Sequence, residues 1–161
     1  MKTKTITIEA PEGHVIDKFD ETTGVVTFKP SPKDITERIK DLNDVFRETG
    51  KDLKDYQYTG TDADKIMLNA TAIALLIARA FNEGVEADWS NSMQSKYFIW
   101  QKYSPSSGWS LNVVDSWCTS AFCGARLAFL KREHANKAYE LFGKEVYQKI
   151  NYLIPQNNEQ N

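Results

Sequence analysis

The sequence predicts an α+β fold, with an N-terminal β-hairpin, two helices, a three-stranded antiparallel sheet and a C-terminal helix. Segments in which apolar and polar residues alternate, as in a β-strand, lie on both sides of a stretch whose apolar residues recur every three or four positions, as in a helix. A chain of 161 residues is long enough to bury one core. We therefore expect a single α+β domain over residues 1–154, followed by a polar tail over 155–161.

The N-terminal hairpin is predicted from HVIDKFDETTGVVTFKP, which covers residues 14–30. Val15 and Phe19 precede a turn rich in Asp, Glu, Thr and Gly, and the chain then returns as a strand over Val25–Lys29.

The first helix is expected to begin at Ser31 and Pro32 and to end at Gly50. Ser is a good N-cap residue, and Pro at the next position lacks only an N–H that would have no helical partner. An apolar stripe follows at three- and four-residue steps, formed by Ile35, Ile39 and Leu42. The second helix is predicted from Thr61 to about Glu83, because a capping-box pattern precedes a broad apolar face and Gly84 follows it.

The C-terminal sheet is predicted from three short segments rich in aromatic and β-branched residues. KYFIWQKY (96–103) and WSLNVV (109–114) flank the turn sequence SPSSG, and RLAFL (126–130) is expected to be the third strand. A helix is then expected from Arg132 to Leu153. Its inner stripe consists of Ala135, Ala138, Leu141, Phe142, Val146 and Ile150.

Charge and hydropathy exclude some classes of protein. The chain has 20 Lys and Arg residues and 22 acidic residues, which gives a net charge of −2. This charge disfavours a protein whose main function is to bind the phosphate backbone of a nucleic acid. The most apolar run, residues 66–81, contains Arg79 and is shorter than the roughly 20 residues of a membrane span. With no apolar segment typical of a signal peptide, we expect a cytoplasmic protein that does not bind membranes.

Both cysteines and one of the two histidines lie close together, at Cys118, Cys123 and His134. A structural zinc site needs four ligands, and this segment offers three. A Cys–His enzyme would need a thiolate beside the imidazole and a third group to orient it, and no such pattern is visible. We expect the thiols to pack in the interior, with no metal, no cofactor and no catalytic residue; a Cys/His enzyme stays an alternative.

Four tryptophans fall within 29 residues, at positions 89, 100, 109 and 117. Because alternate residues of a strand share a face, large aromatic side chains are expected on both faces of the 96–103 strand. Three interpretations stay open: the aromatic residues fill a core, they form a surface for association, or they stack on a flat ligand. Lys96, Lys102 and Arg126 could supply charge to such a ligand.

The segments ITIEAPEGHVIDKFDETTGVVTFKP, FNEGVEADWS leading into KYFIWQKY, and GARLAFLKREHANKAYELFGKEVYQKINYLI resemble recurring blocks of small proteins from phages and prophages of gut Bacteroides. Residues that fit the pattern of this family are Arg126, Leu127, Phe129, Glu133 and Ala135, and the two cysteines are outside it. The resemblance implies a phage-type accessory protein and supplies no catalytic residues.

Together these observations predict a non-catalytic phage-type accessory protein that binds a host protein or a small signalling molecule and forms a homo-oligomer. The expected contact residues are Trp89, Trp100, Trp109, Trp117 and Arg126. The alternatives are a structural virion component and a weak binder of single-stranded nucleic acid. The expected location is the cytoplasm of the infected host cell, or the virion.

Overall fold

The computed structural model describes residues 8–31, 33–59, 62–120 and 124–151. The chain divides between Asp34 and Ile35 into two compact units. The expectation of one domain stays a prediction, and the tail expected at 155–161 lies outside the described residues.

The first unit contains the predicted hairpin, with strand β1 (His14–Asp20) antiparallel to strand β2 (Val25–Pro30). Its turn is ordered by Asp20, whose carboxylate accepts hydrogen bonds from the backbone N–H groups of Thr22 and Thr23 at 2.8 and 3.2 Å. These N–H groups stabilise the carboxylate and lower the pKa of Asp20.

The second unit begins with two short helices where the sequence predicted one. Helix α1 (Ile35–Arg38) is separated from helix α2 (Leu42–Thr49) by a break at residues 39–41. Asp41 has extended backbone and caps α2 in a reciprocal capping box with Asp44. An Asp side chain that can bond the backbone favours a helix start over a helix interior, which explains the break.

Helix α3 (Asp62–Phe81) is the centre of the second unit and lies where the sequence predicted it. It contacts α2 and the C-terminal helical segments, so side chains on several of its sides are buried, including Ala74, Ile77 and Phe81. Gly84, with φ +78°, ends it by donating its N–H to the Arg79 carbonyl at 3.0 Å.

Two further strands form the second sheet, β3 (Lys96–Ser104) and β4 (Gly108–Trp117), joined by the predicted turn. Cross-strand partners share a face of an antiparallel pair. Ile99 is paired with Val114, and both pack against the core. The register shifts between Trp100 and Gln101, whose partners are Val113 and Leu111, so that the pairing skips Asn112 of β4.

The predicted third strand at residues 126–130 is wrong. Residues Ala125–Leu127 form a single 3-10 turn, and only Phe129 bridges to β3, exchanging two backbone hydrogen bonds with Tyr97 at 2.8 and 2.9 Å. The turn uses the N–H groups of Leu127 and Ala128 locally, so they cannot join a ladder. Within the described residues there are thus two separate two-stranded antiparallel sheets, and the fold remains a mixture of helices and strands.

The last predicted helix is interrupted. Helix α4 (Arg132–Phe142) passes into a π-helical turn over Gly143–Tyr147 and a short helix α5 (Gln148–Ile150). Its inner stripe packs as expected, since Ala135, Ala138, Phe142 and Val146 are all buried. In the described part of the chain, no helix combines the length and hydropathy that crossing a membrane requires.

Candidate functional site

The end of α3, the loop that follows it and the 3-10 turn enclose a cavity of about 350 Å³, here named the arginine cavity. Leu75, Val85 and Ala87 give it apolar walls, and Tyr56 and Trp89 add aromatic rings. Two guanidinium groups also line it, from Arg79 on α3 and Arg126 in the 3-10 turn. This combination suits a ligand with a flat apolar part and a charged part.

The two arginines of the arginine cavity are not paired with any acidic side chain in the described part of the chain. Within the described ranges, neither Arg79 nor Arg126 forms an ion pair or a side-chain hydrogen bond, whereas Arg38 and Arg47 are both paired with acidic residues. Glu86 is the one acidic residue among the described lining residues. Two cations against one anion leave an excess positive charge, which favours an anionic ligand.

The loop that carries Trp89 is held in place by local hydrogen bonds. The Asp88 carboxylate accepts the hydroxyl and the N–H of Ser90 at 2.6 and 3.0 Å, and the Gln94 side chain accepts the Asp88 N–H at 2.8 Å. The Ser90 donors lower the pKa of Asp88, and the charge of Lys96 contributes less. Trp89 therefore lies in a constrained turn, which fixes its ring as a wall of the cavity.

Another part of the cavity lining is held by Asn82. Its Nδ2 donates to the Ala128 carbonyl at 2.9 Å, and its Oδ1 accepts the Leu130 N–H at 2.9 Å. One side-chain amide thus ties the end of α3 to the segment that follows the 3-10 turn. Because Arg126 lies just before this segment, Asn82 sets its position relative to Arg79.

A second cavity of about 270 Å³ lies between β3, β4 and the C-terminal helical segments, and we name it the Tyr147 cavity. It is lined mainly by apolar and aromatic side chains, with Gln101, Trp109, Tyr147 and Asn151 as the polar ones. None of its described lining residues carries a charge.

Three residues that line the Tyr147 cavity each hold a buried polar atom without a hydrogen-bond partner among the described residues: Trp109 Nε1, Gln101 Nε2 and the Tyr147 hydroxyl oxygen. The Gln101 side-chain oxygen accepts a hydrogen bond from the Asn151 amide. The NH₂ group of Gln101 is therefore the part of this amide that has no partner among the described residues. Burial raises the pKa of Tyr147 and keeps the phenol protonated. All three groups are therefore able to donate.

The five predicted contact residues do not form one site. Trp89 and Arg126 meet in the arginine cavity, and Trp100 and Trp109 line the Tyr147 cavity. Trp117 ends β4 with 49% of its surface exposed, and it lines neither cavity. Trp100 and Trp109 come from the second hairpin, whereas Trp89 precedes it, and the assignment of the five residues as contact residues stays a prediction.

Cys118 and His134 are the described members of the cysteine and histidine segment. Cys118 is a free, half-buried thiol, and Cys123 lies outside the described residues. His134 is buried in the first turn of α4, with its ring 5.9 Å from the Phe81 ring. Among residues whose placement is described, no group of three or more His, Cys, Asp or Glu side chains could hold a metal ion.

Several cavity residues were not anticipated from the sequence. Arg79 is the only charged residue between Lys65 and Glu83, and a lone charge in an apolar helix was a usable signal for a functional position. Asn82, Gln101 and Tyr147 gave no comparable signal, because their roles depend on contacts between distant segments.

Comparison with protein-family models, with curated proteins and with solved structures finds no match for this chain. The resemblance to phage and prophage proteins therefore stays a prediction.

Proposed function

We propose that this chain is a non-catalytic accessory protein of phage type that binds a small anionic molecule in the arginine cavity, in the cytoplasm of the infected cell. The observation that carries the proposal is the pairing of Arg79 and Arg126 on one cavity, both without an acidic partner in the described structure. Trp89 supports a ligand that also presents a flat apolar surface.

The proposed ligand is small because the cavity is small. A volume of about 350 Å³ lies near the lower end of the roughly 300–1,000 Å³ of most ligand pockets. A nucleotide-sized or smaller anion fits this range, whereas a host protein would engage the site only through an inserted side chain. A small signalling molecule is therefore favoured over a protein target.

Isothermal titration calorimetry with AMP and with adenosine tests the proposal, because the two probes share the flat base and differ in the phosphate. We expect AMP to bind, adenosine to bind at least tenfold more weakly, and added NaCl to weaken AMP binding. Arg79→Gln and Arg126→Gln should each weaken AMP binding by about tenfold, as expected for a charge-assisted hydrogen bond of about 1.5–3 kcal/mol.

Lys149→Gln is the matched control, since Lys149 is exposed and is not among the residues that line the cavity. It should leave AMP binding unchanged. Citrate is a second probe for anions without a base. The proposal fails if neither AMP nor citrate binds, or if the two arginine variants bind them as well as the wild type does.

Self-association is a second candidate, favoured by the surface of β4. Val113 and Trp117 are four residues apart in this strand and so share a face, and they are 44% and 49% exposed. Sedimentation equilibrium should show an oligomer that Trp117→Ser dissociates, while Thr119→Ser, also at an exposed position, leaves it intact. A wild-type protein that stays monomeric across the concentration range would contradict this candidate.

A further inference from the structure

The Tyr147 cavity combines apolar walls with residues whose buried hydrogen-bond donors have no partner in the described part of the chain. We propose that it is a second binding site, specific for a small uncharged planar molecule with at least two hydrogen-bond acceptors. The site is independent of the anion site in the arginine cavity, because the two cavities share no described lining residue.

The donors determine the polarity of the ligand. Buried polar groups in folded proteins almost always have a partner, and an unpaired donor carries a free-energy penalty. Here an indole N–H, an amide NH₂ and a phenol hydroxyl, from Trp109, Gln101 and Tyr147, all lack one among the described residues. A molecule that offers acceptors such as carbonyl or ring oxygens would remove these penalties on binding.

The walls determine the charge and size of the ligand. With no charged side chain among the described lining residues, an ionic ligand would lose its hydration without gaining a counter-charge. A volume of about 270 Å³ lies just below the roughly 300–1,000 Å³ of sites for drug-sized ligands, so a fragment of one or two rings fits.

The backbone that positions Tyr147 is unusual. Tyr147 is the last residue of the π-helical turn that begins at Gly143. Such turns insert an extra residue into a helix, which changes the direction of the side chains that follow, and they occur frequently at functional sites. This feature is independent of the unpaired donors and points to the same residue.

Coumarin and naphthalene are suitable probes, since both are neutral bicyclic molecules and coumarin alone carries two acceptor oxygens. The readout is the set of four tryptophan indole N–H signals in a ¹⁵N NMR spectrum of the whole protein, with Trp109 assigned through Trp109→Phe. We expect coumarin to bind and to shift the Trp109 signal, and naphthalene to bind at least fivefold more weakly.

Tyr147→Phe removes one donor and keeps the ring, and it should weaken coumarin binding by about fivefold. Tyr139→Phe is the matched control: its hydroxyl is also buried and unpaired in the described structure, but Tyr139 does not line the cavity. It should leave binding unchanged. The wild-type spectrum stays decisive if a variant does not fold. The proposal is overturned if the Trp109 signal does not respond to coumarin, or if naphthalene binds equally well.

Discussion

The ammonium group of Lys96 lies 5.4 Å from the centroid of the Trp89 indole and donates a hydrogen bond to the Asn91 carbonyl at 2.9 Å. Lys96 is completely buried. The first residue of β3 therefore contacts the loop before it and packs against the tryptophan that lines the arginine cavity. The same side chain adds a positive charge to the surroundings of that cavity.

The first prediction separates the charge of Lys96 from its hydrocarbon stem. Burying an ammonium group costs several kcal/mol, which offsets its cation–π contact and its hydrogen bond. We expect Lys96→Met to change the free energy of unfolding by less than about 1 kcal/mol, and Lys96→Ala to lower it by about 2–4 kcal/mol, as for other truncated buried chains. Urea unfolding measures both values.

Lys102→Ala, on an exposed part of the same strand, is the control and should cost no more than about 0.5 kcal/mol. Equal losses for Lys96→Met and Lys96→Ala would show that the charge contributes more than the stem does, contrary to this prediction.

The second prediction concerns Asn82. Asn82→Ala leaves the Ala128 carbonyl and the Leu130 N–H without their partner, and each unpaired buried group costs about 1–3 kcal/mol. We expect a loss of about 2–4 kcal/mol in unfolding free energy, together with weaker AMP binding because Arg126 loses its fixed position. Asn112→Ala, at an exposed position of β4, should cost under about 0.5 kcal/mol. A loss for Asn82→Ala as small as this control would refute the assigned role.

The third prediction tests the contact beneath the π-helical turn. A methyl group at Gly143 would lie 3.0 Å from Tyr139 Cε1, which is tighter than most carbon contacts, so the Tyr139 ring would have to shift by a few tenths of an ångström. Ala improves helix propensity by up to about 1 kcal/mol, and overpacking costs about 1–3 kcal/mol, so Gly143→Ala should be destabilising by about 1 kcal/mol. In a Tyr139→Ala background the same change should be neutral or stabilising. A double-mutant cycle with no coupling would exclude the contact as the cause.

The fourth prediction is a pH dependence at the start of α2. The pKa of Asp44 is lowered mainly by the hydrogen bond from the Lys40 backbone N–H, and further by the hydrogen bond from Arg47. Burial acts in the opposite direction. Because the pKa of Asp44 is lower in the folded than in the unfolded state, its ionised carboxylate stabilises the fold. This contribution is complete above the unfolded-state pKa of about 3.9 and is lost as the pH falls through the folded-state pKa. Asp44→Ala should cost about 1 kcal/mol at pH 7, as for a lost helix cap, and progressively less as the pH falls below about 3.9.

Thermal unfolding from pH 7 to pH 2.5 measures this difference. Asp55→Ala serves as control, because the Asp55 side chain forms no hydrogen bond or ion pair among the described residues. A difference between wild type and Asp44→Ala that stays constant down to pH 2.5 would contradict the assignment.

The sequence predicted those elements whose signals are local. The two hairpins follow from alternation and turn residues, and α3 follows from its apolar face and from Gly84. The break between α1 and α2 was missed because Asp41 fits a charged helix surface as well as a cap. The apolar pattern of RLAFL suits a strand, but Asn82, 46 positions away from Ala128, determines its actual pairing.

The candidate sites were predicted only in part, for the same reason. Three of the four tryptophans of the cluster line cavities, yet the sequence could not show that two separate cavities divide them. Which cations lie beside Trp89 depends on how α3 packs against the 3-10 turn. Lys96 and Lys102 looked alike in the sequence, and the structure buries one and exposes the other.

The amide of Asn82 also has a consequence for how molecules of this protein meet one another. In an antiparallel arrangement, the segment around Phe129 directs one set of backbone groups toward β3 and the next set away from it. A full strand at this position would have left the outward set free to recruit a strand from another molecule. Asn82 occupies the outward groups of Ala128 and Leu130 instead. A single side chain thus terminates the hydrogen-bonding pattern, and protects this part of the surface from intermolecular β-aggregation.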